Sequence, residues 1–138
     1  MPTEWKRGEY AISCDPARLD LGVVHGFLQT SYWAQNVSQD VVRRSIEHSL
    51  CFGVYEQKSQ VGFARVITDR ATFAYLADIF ILEQYRGHGL GTWLLETIVS
   101  HPELSGLRRW ILVTRDAHDL YRKFGFRELR NPKRFMER

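Results

Sequence analysis

Apolar and polar positions alternate in some stretches of the chain and recur at helical spacing in others, which predicts both strands and helices. Residues 10–13 have the alternation of a short strand. Apolar residues at helical spacing then predict a helix over residues 21–32. Ser38 is the expected N-cap of a second helix whose apolar stripe reaches residue 50. The chain is therefore expected to open with one strand and two helices.

Three more strands are predicted next. Residues 51–55 and 61–67 flank a polar segment, 57–60, in the pattern of a hairpin. The segment 73–82 is almost continuously apolar toward its end, which favours a central strand covered on both faces. Because a hairpin joins antiparallel strands, at least part of the sheet must be antiparallel.

The second half of the chain alternates helices and strands. A glycine-rich turn leads into a helix that stops at His101-Pro102, and residues 110–113 form another buried strand. The last helix is expected to begin at Asp116 as N-cap and to end at Gly125, and the tail after it is a candidate for one more strand. The order β-α-α-β-β-β-α-β-α-β predicts an α/β (α+β) domain with a mixed sheet and helices on both faces.

Composition limits the class of protein. The 138 residues are 44% hydrophobic, enough for the core of a single domain over residues 1–138. Apolar stretches stop short of the roughly 18 residues that suggest a membrane span, which excludes an integral membrane protein. A coiled coil and a disordered tail are excluded as well. Two cysteines, Cys14 and Cys51, and the lack of an apolar signal-peptide core predict buried free thiols and a cytoplasmic location.

Positive charge is concentrated in the second half of the chain. Residues 1–85 hold 8 Lys and Arg against 10 Asp and Glu, a net −2, and residues 86–138 hold 11 against 6, a net +5. No run of basic residues marks a nucleic-acid-binding tail. The balance therefore predicts a local anion site in the second half, and no nucleic-acid partner.

The segment from Gln84 to Thr92 places three glycines, Gly87, Gly89 and Gly91, between a buried strand and the start of a helix. Glycines there allow successive N–H groups to turn toward one point, and the helix dipole adds to their attraction for phosphate. A P-loop is disfavoured because the turn lacks lysine, and a dinucleotide fingerprint is disfavoured because the third glycine comes one residue early. A tight turn without any ligand is the structural alternative.

Two motifs carry a resemblance to a known family. The run Gln84-x-x-Gly87-x-Gly89 resembles the acyl-CoA signature of the GNAT superfamily of N-acyltransferases, and residues 117–126 look like that family's Ala-x-x-Leu-Tyr-x-x-x-Gly-Phe stretch. The resemblance covers residues 10–130 and implies the GNAT fold, with a mixed and largely antiparallel central sheet. Two positions depart from the family's pattern: Glu83 stands where many members have Pro, and Thr114 where many have Asn.

The resemblance implies acetyl-CoA as co-substrate and no metal. Its pyrophosphate would take main-chain N–H groups from the turn, that is from Arg86, Gly87, His88, Gly89, Leu90, Gly91 and Thr92. Its pantetheine arm would lie like an extra strand beside Ile79, Phe80 and Ile81, near Thr114. In the family the central strand splays from its neighbour, commonly at a β-bulge, and a main-chain N–H near Ile79 would polarise the thioester oxygen.

Two catalytic roles follow from the resemblance. Tyr121 would be the general acid, since a phenol stays protonated at neutral pH and can donate to the departing thiolate; the alternative is a tyrosine that only packs against the sheet. Asp78, alone in an apolar run, would serve as base or hold the cationic acceptor. A carboxylate that is merely paired with an arginine such as Arg65 is the alternative for Asp78.

The acceptor pocket of this superfamily is built by the first two helices and their connection, where Tyr32 and Trp33 fall. Tyr32 and Trp33 are candidates for an aromatic wall that binds the amine, with Asp78 beside them, and core packing is the alternative, more for Tyr32 than for Trp33. The half of the chain that contains them has a net −2, which suits a cationic amine. The leading hypothesis is an N-acetyltransferase that acts on a small-molecule or peptide primary amine by direct attack in a ternary complex, with no membrane partner and a homodimer as one possibility. The alternative is a non-catalytic acyl-CoA-binding module on the same fold.

Overall fold

The computed structural model describes residues 4–138, in which a six-stranded sheet has helices on both sides. The strands are β1 Glu4–Arg7, β2 Tyr10–Ser13, β3 Leu50–Glu56, β4 Ser59–Thr68, β5 Phe73–Ile81 and β6 Arg109–Leu112. The helices are α1 Leu21–Leu28, α2 Gln39–Glu47, α3 Leu90–Val99 and α4 His118–Arg122.

Strand order in the sheet follows the order in the chain, β1 to β6. Every neighbouring pair from β1 to β5 is antiparallel, and β5 and β6 alone are parallel. The parallel pair needs a crossover connection, which α3 supplies. The predicted fold class is therefore confirmed: a mixed, largely antiparallel sheet.

Two hydrophobic clusters lie on opposite faces of the sheet, because successive strand residues such as Cys51 and Phe52 point to opposite sides. Phe52 packs in the cluster that α3 covers with Leu94, and Cys51 packs in the cluster that α1 and α2 cover. In the second cluster Phe27 stacks on Phe80 of β5, with ring centroids 4.0 Å apart. Helices on both faces are thus confirmed, and the residues of β5 near Phe80 are held from the α1 side.

The predicted element order is wrong at both ends. β1 was not predicted, because its sequence EWKR is charged and exposed apart from Trp5, which packs on the α3-side cluster. The expected strand after Gly125 is absent from the described chain: residues 126–130 form no strand, and Pro132–Arg134 form a 3-10 turn. The tail offers few apolar residues to bury, and Pro132 has no N–H to donate to a strand neighbour.

Three element boundaries also differ from the prediction. α1 ends at Leu28, where the hydroxyl of Ser31 donates to the Leu28 carbonyl, so Tyr32 lies in the connection and not on the helix. Ser38 caps α2 as predicted, but Leu50 belongs to β3. α4 begins at His118 with Ala117 as N-cap, so the prediction of Asp116 as N-cap is wrong.

The cysteines are free; Cys51 is buried and Cys14 is half-buried. Burial raises the pKa of both thiols to about 12, so they stay protonated at neutral pH. Within residues 4–138 the helices are all too short or too polar to cross a membrane. The signal-peptide prediction involved residues 1–10, of which 1–3 lie outside the described residues.

Phe52 of β3 is completely buried under α3, whereas Ile67 on β4 is 41% exposed. We expect Phe52→Ala to lower the free energy of unfolding by about 3–5 kcal/mol, because it removes apolar contacts and leaves a cavity. Ile67→Ala is the control and should change it by less than about 0.5 kcal/mol. Urea unfolding followed by circular dichroism measures both, and equal losses would contradict the assigned core.

Candidate active site

A β-bulge interrupts the pairing of β4 and β5. Phe63 pairs with Phe80 and Arg65 pairs with Ala77, so two residues of β5, Asp78 and Ile79, oppose one residue of β4. Asp78 has a φ of 52°, in the left-handed region that side chains other than glycine rarely adopt. A bulge bends its strand and re-aims the side chains next to it.

β5 and β6 separate beyond the bulge. Their parallel pairing covers only Phe73–Leu76 of β5 and Arg109–Leu112 of β6, although β5 continues to Ile81. Residues 77–81 therefore have no strand neighbour on the β6 side in the described chain. A cavity of about 620 Å³ opens here, lined by β5 residues including Asp78 and Ile79, by the α1–α2 connection, by α2 and by the segment from Val113 to Tyr121.

Asp78 is held by two donors. One carboxylate oxygen accepts from Arg65 Nε and the other from Trp33 Nε1, each at 2.8 Å. Arg65 also donates to the hydroxyl of Ser49 at 3.2 Å. The Asp78 and Arg65 side chains are only 11% and 17% exposed, so this ion pair is shielded from solvent. The alternative for Asp78, an ion pair with Arg65, is thus present, and Trp33 donates a second hydrogen bond to the same carboxylate.

Tyr121 extends from α4 into the same cavity. Its ring meets the edge of Phe126 with centroids 6.0 Å apart. Burial raises the pKa of Tyr121 above its usual value near 10, and the neighbouring Tyr32 adds to the shift. The phenol therefore remains a proton donor throughout the neutral range.

Tyr32 and Trp33 form an aromatic wall of the cavity, with ring centroids 5.1 Å apart and the rings nearly perpendicular. Trp33 lines the cavity. The core-packing alternative for Tyr32 is wrong: its side chain is 50% exposed because α1 ends four residues earlier. The hydroxyl of Tyr32 accepts from the Arg115 main-chain N–H at 3.2 Å, and the Arg115 guanidinium lies 3.9 Å from the ring centroid.

The glycine turn lies at the end of β5 and does not line this cavity. Gly87 and Gly89 have φ values of 83° and 78°, and a Cβ on either would meet no atom within 4 Å. Gly89 is the N-cap of α3, and among residues 4–138 no acceptor faces the N–H groups of residues 87–92. Arg86 donates through Nε to the Ile81 carbonyl at 3.0 Å, which ties the turn to β5. Free amides at a helix start are suited to bind phosphate.

Thr114 lines the cavity, and its hydroxyl oxygen accepts from the Ala117 N–H at 3.1 Å. The hydroxyl hydrogen stays available for a ligand.

His88 is exposed on the glycine turn and His118 is exposed at the start of α4. In the described part of the chain no three His, Cys, Asp or Glu side chains are grouped as metal ligands would be.

Some cavity residues were not predicted from the sequence. Val41 of α2 and Val113 after β6 lie in the cavity wall and are 43% and 79% exposed. Arg115 and Asp116 lie at the rim of the cavity. Val41 stands beside Val42, off the buried stripe of α2, and an apolar residue off the stripe is a signal that could have identified it. The prediction that Val113 lies in a buried strand over residues 110–113 is wrong, because β6 ends at Leu112 and Val113 is exposed. Arg115 offered no comparable signal.

Residues 47–128 match the family model described as "Acetyltransferase (GNAT) domain". The match covers more than half of the chain and includes β5, the glycine turn and Tyr121. The chain belongs to the GNAT acetyltransferase family. A protein of Gibberella zeae named as a candidate acetyltransferase is 34% identical over an alignment of 145 positions, which includes 88% of this chain and 81% of that protein.

Solved structures agree with this assignment. A crystal structure from Xanthomonas campestris pv. campestris, described as a candidate acetyltransferase of the GNAT family, is 45% identical with a TM-score of 0.92, covering 94% of this chain and 92% of that one. A GNAT family acetyltransferase from Elizabethkingia anophelis with acetyl-CoA bound shares the fold at a TM-score of 0.67 and 14% identity, covering 88% and 78%. The GNAT fold inferred from the two motifs is confirmed.

The shielded ion pair generates a stability prediction. Arg65→Met removes the cationic partner of Asp78 and leaves a carboxylate that is 11% exposed, so we expect the free energy of unfolding to fall by about 3 kcal/mol. Arg43→Met is the control, because Arg43 pairs with Asp40 and Glu47 on the exposed face of α2. Urea denaturation should show little change for the control; equal losses would contradict a structural role for the Arg65–Asp78 pair.

Proposed function

We propose that this GNAT domain transfers an acetyl group from acetyl-CoA to a primary amine by direct attack in a ternary complex. The observation that carries the proposal is the gap between β5 and β6, which opens at the Asp78 bulge and lies next to the amide-rich turn at the end of β5. The Elizabethkingia relative with acetyl-CoA bound supports acetyl-CoA as the co-substrate.

The binding role falls to main-chain groups. The N–H groups of residues 87–92 would hold the pyrophosphate, where the free amides, the N-terminus of α3 and the Arg86 guanidinium combine. The Arg86 N–H, predicted to join them, already donates to the Glu83 carbonyl at 3.2 Å. The unpaired edge of β5 at Ile79, Phe80 and Ile81 would hydrogen-bond the pantetheine arm, and Thr114 would donate to it from the other side. Acetyl-CoA supplies the activated acetyl thioester.

The bulge would aim the Ile79 N–H at the thioester oxygen, where negative charge develops during attack. A donor in such a position contributes about 3–4 kcal/mol to the stability of the transition state. The direction of the Ile79 N–H is preorganised, because the preceding residue, Asp78, is held in its left-handed conformation by hydrogen bonds from Arg65 and Trp33. The donor is then in place before the reaction begins.

Tyr121 would donate its phenolic proton to the departing CoA thiolate. It lines the cavity, and its raised pKa keeps the proton available at neutral pH. These two observations favour an enzyme over the alternative, a non-catalytic acyl-CoA-binding module, which would need the turn but no acid.

For Asp78 we propose a holding role. Protonation of Asp78 would neutralise its shielded ion pair with Arg65 and leave the guanidinium without its anionic partner, which disfavours Asp78 as a base. Asp78 instead positions Trp33 in the acceptor wall and the bulge on β5. The amine proton would pass to water in the open cavity.

Gly89→Glu tests the phosphate site. We expect the affinity for acetyl-CoA to fall at least about tenfold, because a carboxylate among the turn amides repels the pyrophosphate by about 1.4 kcal/mol or more. Gly106→Glu is the matched control: Gly106 has a φ of 76° against 78° for Gly89, and a Cβ on it also meets nothing within 4 Å. Calorimetry should give the control wild-type affinity; equal affinity in both variants would refute the site.

Tyr121→Phe tests the general acid. We expect kcat to fall by about 10²–10⁴-fold with unchanged acetyl-CoA affinity. Because the acid acts in its protonated form and the pKa of Tyr121 is raised above its usual value, any alkaline decline of wild-type kcat caused by this group should have its midpoint above pH 10. Thiol release measured from pH 6 to 10.5 checks both statements, and full turnover by Tyr121→Phe would remove Tyr121 from the mechanism.

A further inference from the structure

The acceptor side of the cavity gathers exposed apolar side chains. Nine large hydrophobic residues are exposed in the described chain, and four of them lie in this one cavity: Tyr32, Trp33, Val41 and Val113. Such side chains would normally be buried or scattered singly over a surface. Their concentration around one opening marks a surface that contacts an apolar ligand.

The charged groups of the cavity neutralise one another. Arg65 and Asp78 form the shielded pair at 2.8 Å. Arg115 lies over the Tyr32 ring and 3.7 Å from the Asp116 carboxylate, which is 71% exposed at the rim. Two cations and two carboxylates leave the lining without net charge, so the net −2 of the first half of the chain does not carry over to the cavity.

The lining offers hydroxyl donors but no free charged acceptor. Ser45 donates to the Val42 carbonyl, and the Tyr32 and Thr114 oxygens accept main-chain N–H groups while their hydroxyl hydrogens stay available. A second ammonium, which only donates, would find no unpaired buried carboxylate. Burying such groups without partners costs more than leaving them in water.

We infer that the acceptor is a primary amine with a single charge on an aryl or branched-alkyl body, which packs against Trp33, Val41 and Val113 while its amino group reaches the β5 edge. This inference rests on the proposed acetyl transfer. It separates the acceptor from polyamines, whose second charge this lining does not match, and from amino sugars, whose polar body does not match the exposed apolar side chains.

The first test compares four acceptors with the wild-type protein: 2-phenylethylamine and 3-methylbutylamine against putrescine and glucosamine. We expect kcat/KM, measured by thiol release from acetyl-CoA, to be at least about tenfold higher for the first two. Equal values, or a preference for putrescine or glucosamine, would overturn the inference and leave acetyl transfer standing. Thiol release with none of the four, while acetyl-CoA binds, would overturn the inference and count against the proposed function too.

The second test introduces the charge that the cavity lacks. Val113→Asp places a carboxylate on a side chain that is 79% exposed and makes no hydrogen bond, so folding should be unaffected. We expect the ratio of kcat/KM for putrescine to that for 2-phenylethylamine to rise about tenfold. Ile67→Asp adds the same charge at a site 41% exposed and outside the cavity, and should leave the ratio unchanged. Equal ratios in the two variants would contradict the assigned acceptor wall.

Discussion

The β-bulge at Asp78 is the constraint on which the site depends. The β5–β6 pairing ends at Leu76, two residues before the extra residue on β5, and the cavity opens where the two strands part. A left-handed aspartate costs backbone energy and persists only when its surroundings hold it. Arg65 and Trp33 do so, one from the sheet and one from the α1–α2 connection. The bulge therefore links the strand edge to the acceptor wall.

The other elements of the site are tied to this centre by specific contacts. The Arg86 side chain holds the glycine turn to the last residue of β5. Phe27 of α1 stacks on Phe80 two residues after Asp78, which supports β5 from the α1–α2 side of the sheet. Tyr32 lies close enough to Tyr121 to raise its pKa, and both side chains line the same cavity. The proposed cofactor contacts come mostly from main-chain groups, so few side chains in the sequence mark the site.

The sequence predicted those parts that local chemistry determines. Glycines in the turn, the Ser38 cap and the apolar strands were readable because a turn, a cap or a buried face allows few residue types. The bulge was not readable, since Asp78 and Ile79 fit a regular strand equally well. The exposure of Tyr32 depended on where α1 ends, and the pairing of Asp78 with Trp33 joins residues 45 positions apart. β1 and the irregular tail escaped prediction because charged edge segments carry little periodicity.

We propose that acyl-CoA binds in the gap between β5 and β6 and that its thioester meets the amine there. A crystal structure with CoA and an apolar amine tests it most directly. We expect the pyrophosphate within hydrogen-bond distance of the N–H groups of residues 87–92, the pantetheine arm along residues 79–81, and the sulfur near Tyr121. CoA bound elsewhere on the molecule, or a closed gap between the two strands, would contradict the account.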